Sequence, residues 1–99
     1  MTELLTGETR AAVLDPLLAD GWIETEAGTA LTKTFTFHNF SEAFSWMTRV
    51  ALLAEKIDHH PEWTNVYKRV EVRLSTHSAG GLTALDVEMA TAMDAFATH

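Results

Sequence analysis

Apolar residues along this chain repeat with two different periods, and the switches between them divide it into elements. From Thr6 to Ala19, the residues Val13, Leu14, Leu17 and Leu18 recur as i, i+1, i+4, i+5, the stripe of a helix. Pro16 lies inside that stripe. Proline removes a helical hydrogen bond and crowds the preceding turn, so a kink or a short second turn is expected there. Asp20-Gly21 then closes the helix. Trp22 to Thr25 and Ala30 to Phe37 flank Glu26-Ala27-Gly28-Thr29, a loop of hairpin length and composition. In the second run Leu31, Lys33, Phe35 and Phe37 share one face, while Thr32, Thr34 and Thr36 share the other, the alternation of a half-buried antiparallel strand.

Asn39-Phe40-Ser41-Glu42 is a capping-box pattern, in which the Asn oxygen takes an early helix amide and the Glu reaches back. The strongest helical period follows, through Phe40, Ala43, Phe44, Met47, Val50, Ala51, Ala54 and Ile57. It predicts a helix from about Phe40 to His59, roughly 30 Å long. Pro61 prevents its continuation. Trp46, Leu52 and Leu53 fall off this stripe and suggest a second apolar face directed at another subunit. Beyond it, Asn65 to Tyr67 reads as a short strand and Val70 to His77 as a clearer one. There Val70, Val72, Leu74 and Thr76 face one way, and Glu71, Arg73, Ser75 and His77 the other. After the loop Ser78-Ala79-Gly80-Gly81, a last helix starts near Thr83 with a stripe of Leu85, Met89, Ala92, Met93 and Phe96. The order α-β-β-α-β-β-α predicts an α+β fold, an antiparallel sheet covered by helices on one face.

Composition limits what such a fold is expected to do. At 99 residues and 46% hydrophobic content, the chain makes one domain, residues 1–99, with one modest core. Seven Lys and Arg face fourteen Asp and Glu, a net charge of -7, and the longest basic run is Lys68-Arg69. Direct nucleic-acid binding, which needs clustered positive charge, is therefore not expected. Cysteine is absent, which removes disulfides, thiolate catalysis and Cys-ligated zinc. The first residues lack the basic and apolar regions of a signal peptide, and no apolar run has the ~20 residues that span a bilayer. A cytoplasmic protein without membrane attachment is the expectation.

Candidate chemistry centres on histidine. Five are present, at positions 38, 59, 60, 77 and 99. Three of them, His59, His60 and His77, fall at predicted element ends, where rigid scaffolding holds side chains within reach of a ligand. Glu55 and His59 are four apart, so on a helix they share a face and can hydrogen-bond, with the carboxylate orienting the ring. The plain alternative is a solvated surface pair. Asp86 also has a structural reading, since Thr83-Ala84-Leu85-Asp86 is a capping-box pattern. Trp22 and Trp63, on spacing alone, are core or interface aromatics. His38 and His99 receive no role. Metal binding is the rival reading of three His and a Glu, but the His-Glu-x-x-His pattern is missing and adjacent histidines on a helix diverge by about 100 degrees. Zinc therefore stands as the second reading.

The composite spacing carries more information than any single pair. Glu55, His59-His60-Pro61, Tyr67, His77 and Asp86 resemble the signature of the pterin-4a-carbinolamine dehydratase family. So do Gly21-Trp22, Phe35-Thr36-Phe37, Met47-Thr48-Arg49-Val50-Ala51, Pro61-Glu62-Trp63-Thr64-Asn65-Val66-Tyr67 and Leu74-Ser75-Thr76-His77, over about Leu5 to Phe96. The resemblance implies a four-stranded antiparallel sheet with three helices on one side. It implies a hydro-lyase that removes water from a 4a-hydroxytetrahydropterin to give the quinonoid dihydropterin, recycling the cofactor of aromatic amino-acid hydroxylases. By the same likeness His59, His60 and His77 are the catalytic and substrate-binding imidazoles, Glu55 and Asp86 orient them, and Trp22 lines the site. No metal or organic cofactor is implied. The implied partners are the pterin substrate, copies of the same chain in a homodimer or homotetramer, and, functionally, a hydroxylase. The alternative on the same fold is a non-catalytic oligomerisation or transcriptional-cofactor module, as some animal members bind a homeodomain transcription factor.

Overall fold

A computed structural model of the chain describes residues 3–97, so His99 lies outside the described residues. Three helices, α1 (Gly7–Ala19), α2 (Phe40–Ile57) and α3 (Ala84–Ala97), alternate with four strands, β1 (Ile23–Thr25), β2 (Ala30–Thr36), β3 (Glu62–Val66) and β4 (Arg69–Leu74). The strands form one antiparallel sheet in the order β1-β2-β4-β3. Its register places Leu31 opposite Leu74 and Phe35 opposite Val70 on the central pair, and Trp63 opposite Val72 at the edge. Those side chains meet Leu14 and Leu17 of α1, Val50 and Ala54 of α2, and Met89 and Met93 of α3 in one core. All three helices thus cover the same sheet face, the expected α+β arrangement. Burying each large apolar side chain contributes roughly 1.5–3 kcal/mol.

Several details differ from the sequence reading, beginning with β3, which spans Glu62–Val66 instead of Asn65 to Tyr67. Helix α1 runs unbroken through Pro16. Both Pro16 and Ala12, whose carbonyl loses its donor, are exposed, so solvent replaces that hydrogen bond. Helix α2 turns a different face inward, burying Ala43, Trp46, Val50 and Ala54 and leaving Phe40, Phe44 and Leu52 exposed. Trp46 is therefore a core residue rather than part of an outward face. Its ring packs on Phe35 at 4.6 Å, Phe37 at 5.2 Å and Trp63 at 6.2 Å, and its indole N–H donates to the Met93 carbonyl at 3.0 Å. The largest side chain in the helix sets which face is buried, because it removes the most apolar area from water. Finally, β4 stops at Leu74, and His77 opens a short 3-10 turn, His77–Ala79, instead of ending the strand.

The capping expectation for α2 is met at Asn39, whose side chain accepts from the Glu42 N–H at 2.9 Å. Glu42 reaches back one residue further than the usual box, taking the His38 N–H at 3.0 Å, and its other oxygen lies 3.1 Å from His38 Nδ1. His38 is a surface residue at the strand end.

Candidate active site

The site begins where α2 ends. Asp58 adopts the left-handed conformation (φ 53°), its N–H and that of His59 both returning to the Ala54 carbonyl. This cap reverses the chain within one residue, and Pro61 commits it to the sheet. Helical spacing consequently stops applying at Asp58, which corrects the expected Glu55–His59 pair. Glu55 Oε1 lies 2.6 Å from His60 Nε2 instead, with both side chains exposed. His59 turns inward, 8% exposed, and places Nε2 2.6 Å from Asp86 Oδ1.

Asp86 is fully buried in the first turn of α3, where the helix dipole favours a carboxylate. The capping reading holds, and the same carboxylate also meets His59. Oδ2 accepts the Thr83 N–H at 2.9 Å, one half of the capping box, and also the Thr76 hydroxyl at 2.7 Å, leaving Oδ1 to face His59. The carboxylate is thus surrounded by three donors from α3's cap, the end of β4 and the end of α2. An ionised carboxylate only accepts, so with Asp86 ionised the donor in this bond is Nε2 of His59.

His77 follows Thr76 directly. The Thr76 carbonyl accepts from the N–H groups of Ala79, Gly80 and Gly81 at 3.0–3.3 Å, folding the turn that presents His77. Gly80 closes it at φ 78°, a conformation that suits glycine. The His77 side chain is exposed. His59, Asp86 and the backbone bearing His77 are therefore brought together, with the Glu55–His60 pair beside them on the outer side of the same chain reversal. Trp22 sits in the core, 2% exposed, its indole donating to Asp94 at 3.0 Å and its ring edge-on to Phe35. Lys33 bridges Asp94 at 2.7 Å and lies over the Trp22 ring at 5.8 Å.

Two residues of this cluster escaped the sequence reading, Thr76 and Thr83. The available signal was a hydroxyl at position 76 in register with Val70, Val72 and Leu74, because a polar group on a buried strand face requires a partner. Among the described residues no group of three His, Cys, Asp or Glu side chains is placed to hold a metal ion. A groove of about 740 Å³ crosses the open sheet face between Ile23 and Trp63 and contains none of the histidines. Its one arginine, Arg73, is already bonded to Glu26 at 2.6 and 2.7 Å and to Glu62. That hydrogen-bonded pairing holds the Glu26 carboxyl below its ordinary range and raises Arg73 further above its own. The groove's arginine is thus already paired with carboxylates, and the histidines of the sequence reading lie elsewhere, in the imidazole–carboxylate cluster.

No helix among the described residues is long and apolar enough to cross a membrane. The sequence model of the family described as pterin 4 alpha carbinolamine dehydratase matches residues 3–96. A provisionally named pterin-4-alpha-carbinolamine dehydratase of Bradyrhizobium sp. (strain ORS 278) is 59% identical over 97 residues, covering 98% of this chain and 95% of its own length. A relative of the same provisional name from Roseobacter denitrificans is 57% identical, covering 98% of this chain and 99% of its own. Among solved structures, the transcriptional coactivator/pterin dehydratase from Brucella melitensis superposes with a TM-score of 0.86 at 48% identity, over 95% of this chain and 98% of that one. A pterin dehydratase-like protein described as a RuBisCO assembly factor in the alpha-carboxysome shares the fold alone, with a TM-score of 0.67 at 23% identity, over 78% of this chain and 89% of that one. With its fold, its signature residues and its full-length likeness in agreement, the chain belongs to the pterin-4-alpha-carbinolamine dehydratase family.

Proposed function

We propose that this protein is a working dehydratase, which removes water from a 4a-hydroxytetrahydropterin and returns the quinonoid dihydropterin, recycling the cofactor of an aromatic amino-acid hydroxylase. The observation that carries this reading is the buried Asp86 carboxylate on His59 Nε2, joined through Thr76 to the residue before His77. The reaction breaks the C4a–O bond and the N5–H bond and forms the C4a=N5 double bond. One proton must reach the departing hydroxyl and one must leave N5, so a donor and an acceptor are needed together. In this assignment His59, with Nε2–H held by Asp86, takes the N5 proton at Nδ1, and the exposed His77, acting from its imidazolium form, delivers a proton to the hydroxyl. His60, oriented by Glu55, binds the pterin. Trp22, which the family likeness implies as lining the site, is buried in the core against Phe35 and Asp94. Imidazoles suit both tasks because both protonation states are populated near neutrality.

The test is stopped-flow decay of a freshly generated 4a-hydroxytetrahydropterin. Acceleration by the parent and its loss in His59→Ala and His77→Ala is the expected result. No acceleration over buffer at micromolar protein rejects the reading.

A second reading is favoured by one specific feature, the exposed Phe40, Phe44 and Leu52 on α2. They suit a non-catalytic oligomerisation or transcriptional-cofactor module, and the Brucella melitensis relative is described as a transcriptional coactivator/pterin dehydratase. The same assay separates the two, because a binding module leaves the decay of the pterin unchanged.

A further inference from the structure

We infer that Thr76 is a positioning residue, which sets the spacing between His59 and His77 by holding both to one point beyond the end of β4. The inference rests on the reading of those histidines as proton acceptor and donor. Their tasks fall on adjacent atoms of one rigid ring, N5 and C4a, so the separation of the two imidazoles matters as much as their chemistry. A chain of contacts between them runs through Thr76. Its hydroxyl donates to Asp86 Oδ2 at 2.7 Å, and Asp86 Oδ1 stands 2.6 Å from His59 Nε2. Its carbonyl accepts the amides of Ala79, Gly80 and Gly81 at 3.1, 3.0 and 3.3 Å, and its own N–H donates to the Gly81 carbonyl at 2.9 Å. The side chain thus holds the His59 unit, and the backbone holds the turn that bears His77.

Burial keeps the side-chain half of this link free of water, since Thr83 and Asp86 are fully buried and Thr76 is 5% exposed. Thr76 gives its one hydrogen to the carboxylate, so the Thr83 hydroxyl, 2.7 Å away, donates to Thr76 and steadies it. A methyl group in place of the Thr76 hydroxyl changes a distance. The two oxygens stand 2.7 Å apart, whereas a carbon and a carboxylate oxygen approach only to about 3.3 Å, so Oδ2 must retreat by about 0.6 Å. His59, bonded to the same carboxylate, moves with it. That bond survives the shift because the carboxylate remains an acceptor, and the carbonyl of residue 76 still folds the His77 turn. Spacing is what changes. A misplacement of about 1 Å can cost about 100-fold in rate, so roughly half that distance should cost about tenfold.

Crystal structures of the full-length parent, Thr76→Val and Thr76→Ser measure the spacing without reference to catalysis. In Thr76→Val the His59 ring is expected to shift by about half an ångström relative to the His77 turn, and in Thr76→Ser to keep the parent position. In the dehydratase assay kcat should fall about tenfold in Thr76→Val with KM within about twofold, and Thr76→Ser should restore it. Added to His59→Ala, which leaves no ring to position, Thr76→Val should lower kcat by less than about twofold more. An unmoved His59 ring in Thr76→Val, or a further loss of about tenfold on top of His59→Ala, overturns the inference. Should Thr76→Val not fold, the hydroxyl proton of Thr76 in the parent decides by NMR: protection from solvent exchange sustains the link to Asp86, and exchange at the rate of an exposed side chain overturns it. A parent with no dehydratase activity, in which His59 still moves with loss of the hydroxyl, rejects the proposed function and sustains the positioning role.

Discussion

His59 Nε2 and Asp86 Oδ1 stand 2.6 Å apart across 27 residues of sequence, joining the end of α2 to the start of α3 through buried polar atoms. Because Asp86 also receives the Thr76 hydroxyl and the Thr83 N–H, the contact ties three segments at once. Removing the carboxylate strands all three donors.

Asp86→Ala should accordingly destabilise the fold by about 3 kcal/mol, since buried donors lose their acceptor and water does not replace it. Urea denaturation of parent and variant measures this. A loss below about 1 kcal/mol would show that the three donors find other partners.

The two adjacent histidines should respond differently to truncation. His60 and Glu55 are exposed at 54% and 79% of their side chains, so His60→Ala should change stability by no more than about 0.5 kcal/mol. His59→Ala leaves Asp86 buried without one donor and should cost about 2 kcal/mol. In kinetics His60→Ala should act mainly on KM, whereas His59→Ala should lower kcat about 100-fold or more. Equal effects on kcat would remove the division of roles.

The Glu26–Arg73 pair supplies a pH-dependent contribution on the sheet. The hydrogen bond from Arg73 lowers the Glu26 carboxyl below its ordinary value of 4.5, so the folded state favours the ionised form. A carboxylate depressed in the folded state adds stability that is complete above its unfolded pKa and disappears as pH falls through the folded one. Glu26→Gln should therefore melt below the parent at neutral pH, and the two curves should converge on acidification below the carboxylate range. A melting-temperature gap that persists at about pH 2 would assign the difference to packing instead.

Trp46 and Leu52, on the same helix, should give opposite results. Trp46→Ala removes a ring that touches Phe35, Phe37 and Trp63 and a hydrogen bond to Met93, and should cost about 4 kcal/mol. Leu52 is 69% exposed, and Leu52→Ala should stay within about 0.5 kcal/mol in the monomer. A loss in Leu52→Ala that grows with protein concentration would reveal a partner copy on α2.

Much of the fold was legible because it follows from local rules. Alternation at Val70, Val72, Leu74 and Thr76 put all four on the buried face, and Asn39 with Glu42 marked the start of α2. The failures lie where a local rule meets a competing term. The periodic stripe counted Phe44 and Ala51 as inward, yet both are exposed, because the wide Trp46 ring rotates the helix toward the sheet. Pro16 predicted a kink or a short second turn, yet α1 continues as one helix through it on an exposed face.

At the site, the sequence by itself determined the residue types, their place at element ends and the stop that Pro61 imposes on α2. It also determined that Asp86 caps α3, since capping acts within four residues. Only the tertiary structure decided the partners. The left-handed Asp58 sends His59 inward and His60 outward, so Glu55 pairs five residues on rather than four, and the buried carboxylate comes from another helix. Hydrogen-bond partners across a chain reversal depend on where packed elements meet, and periodicity carries no information about that meeting.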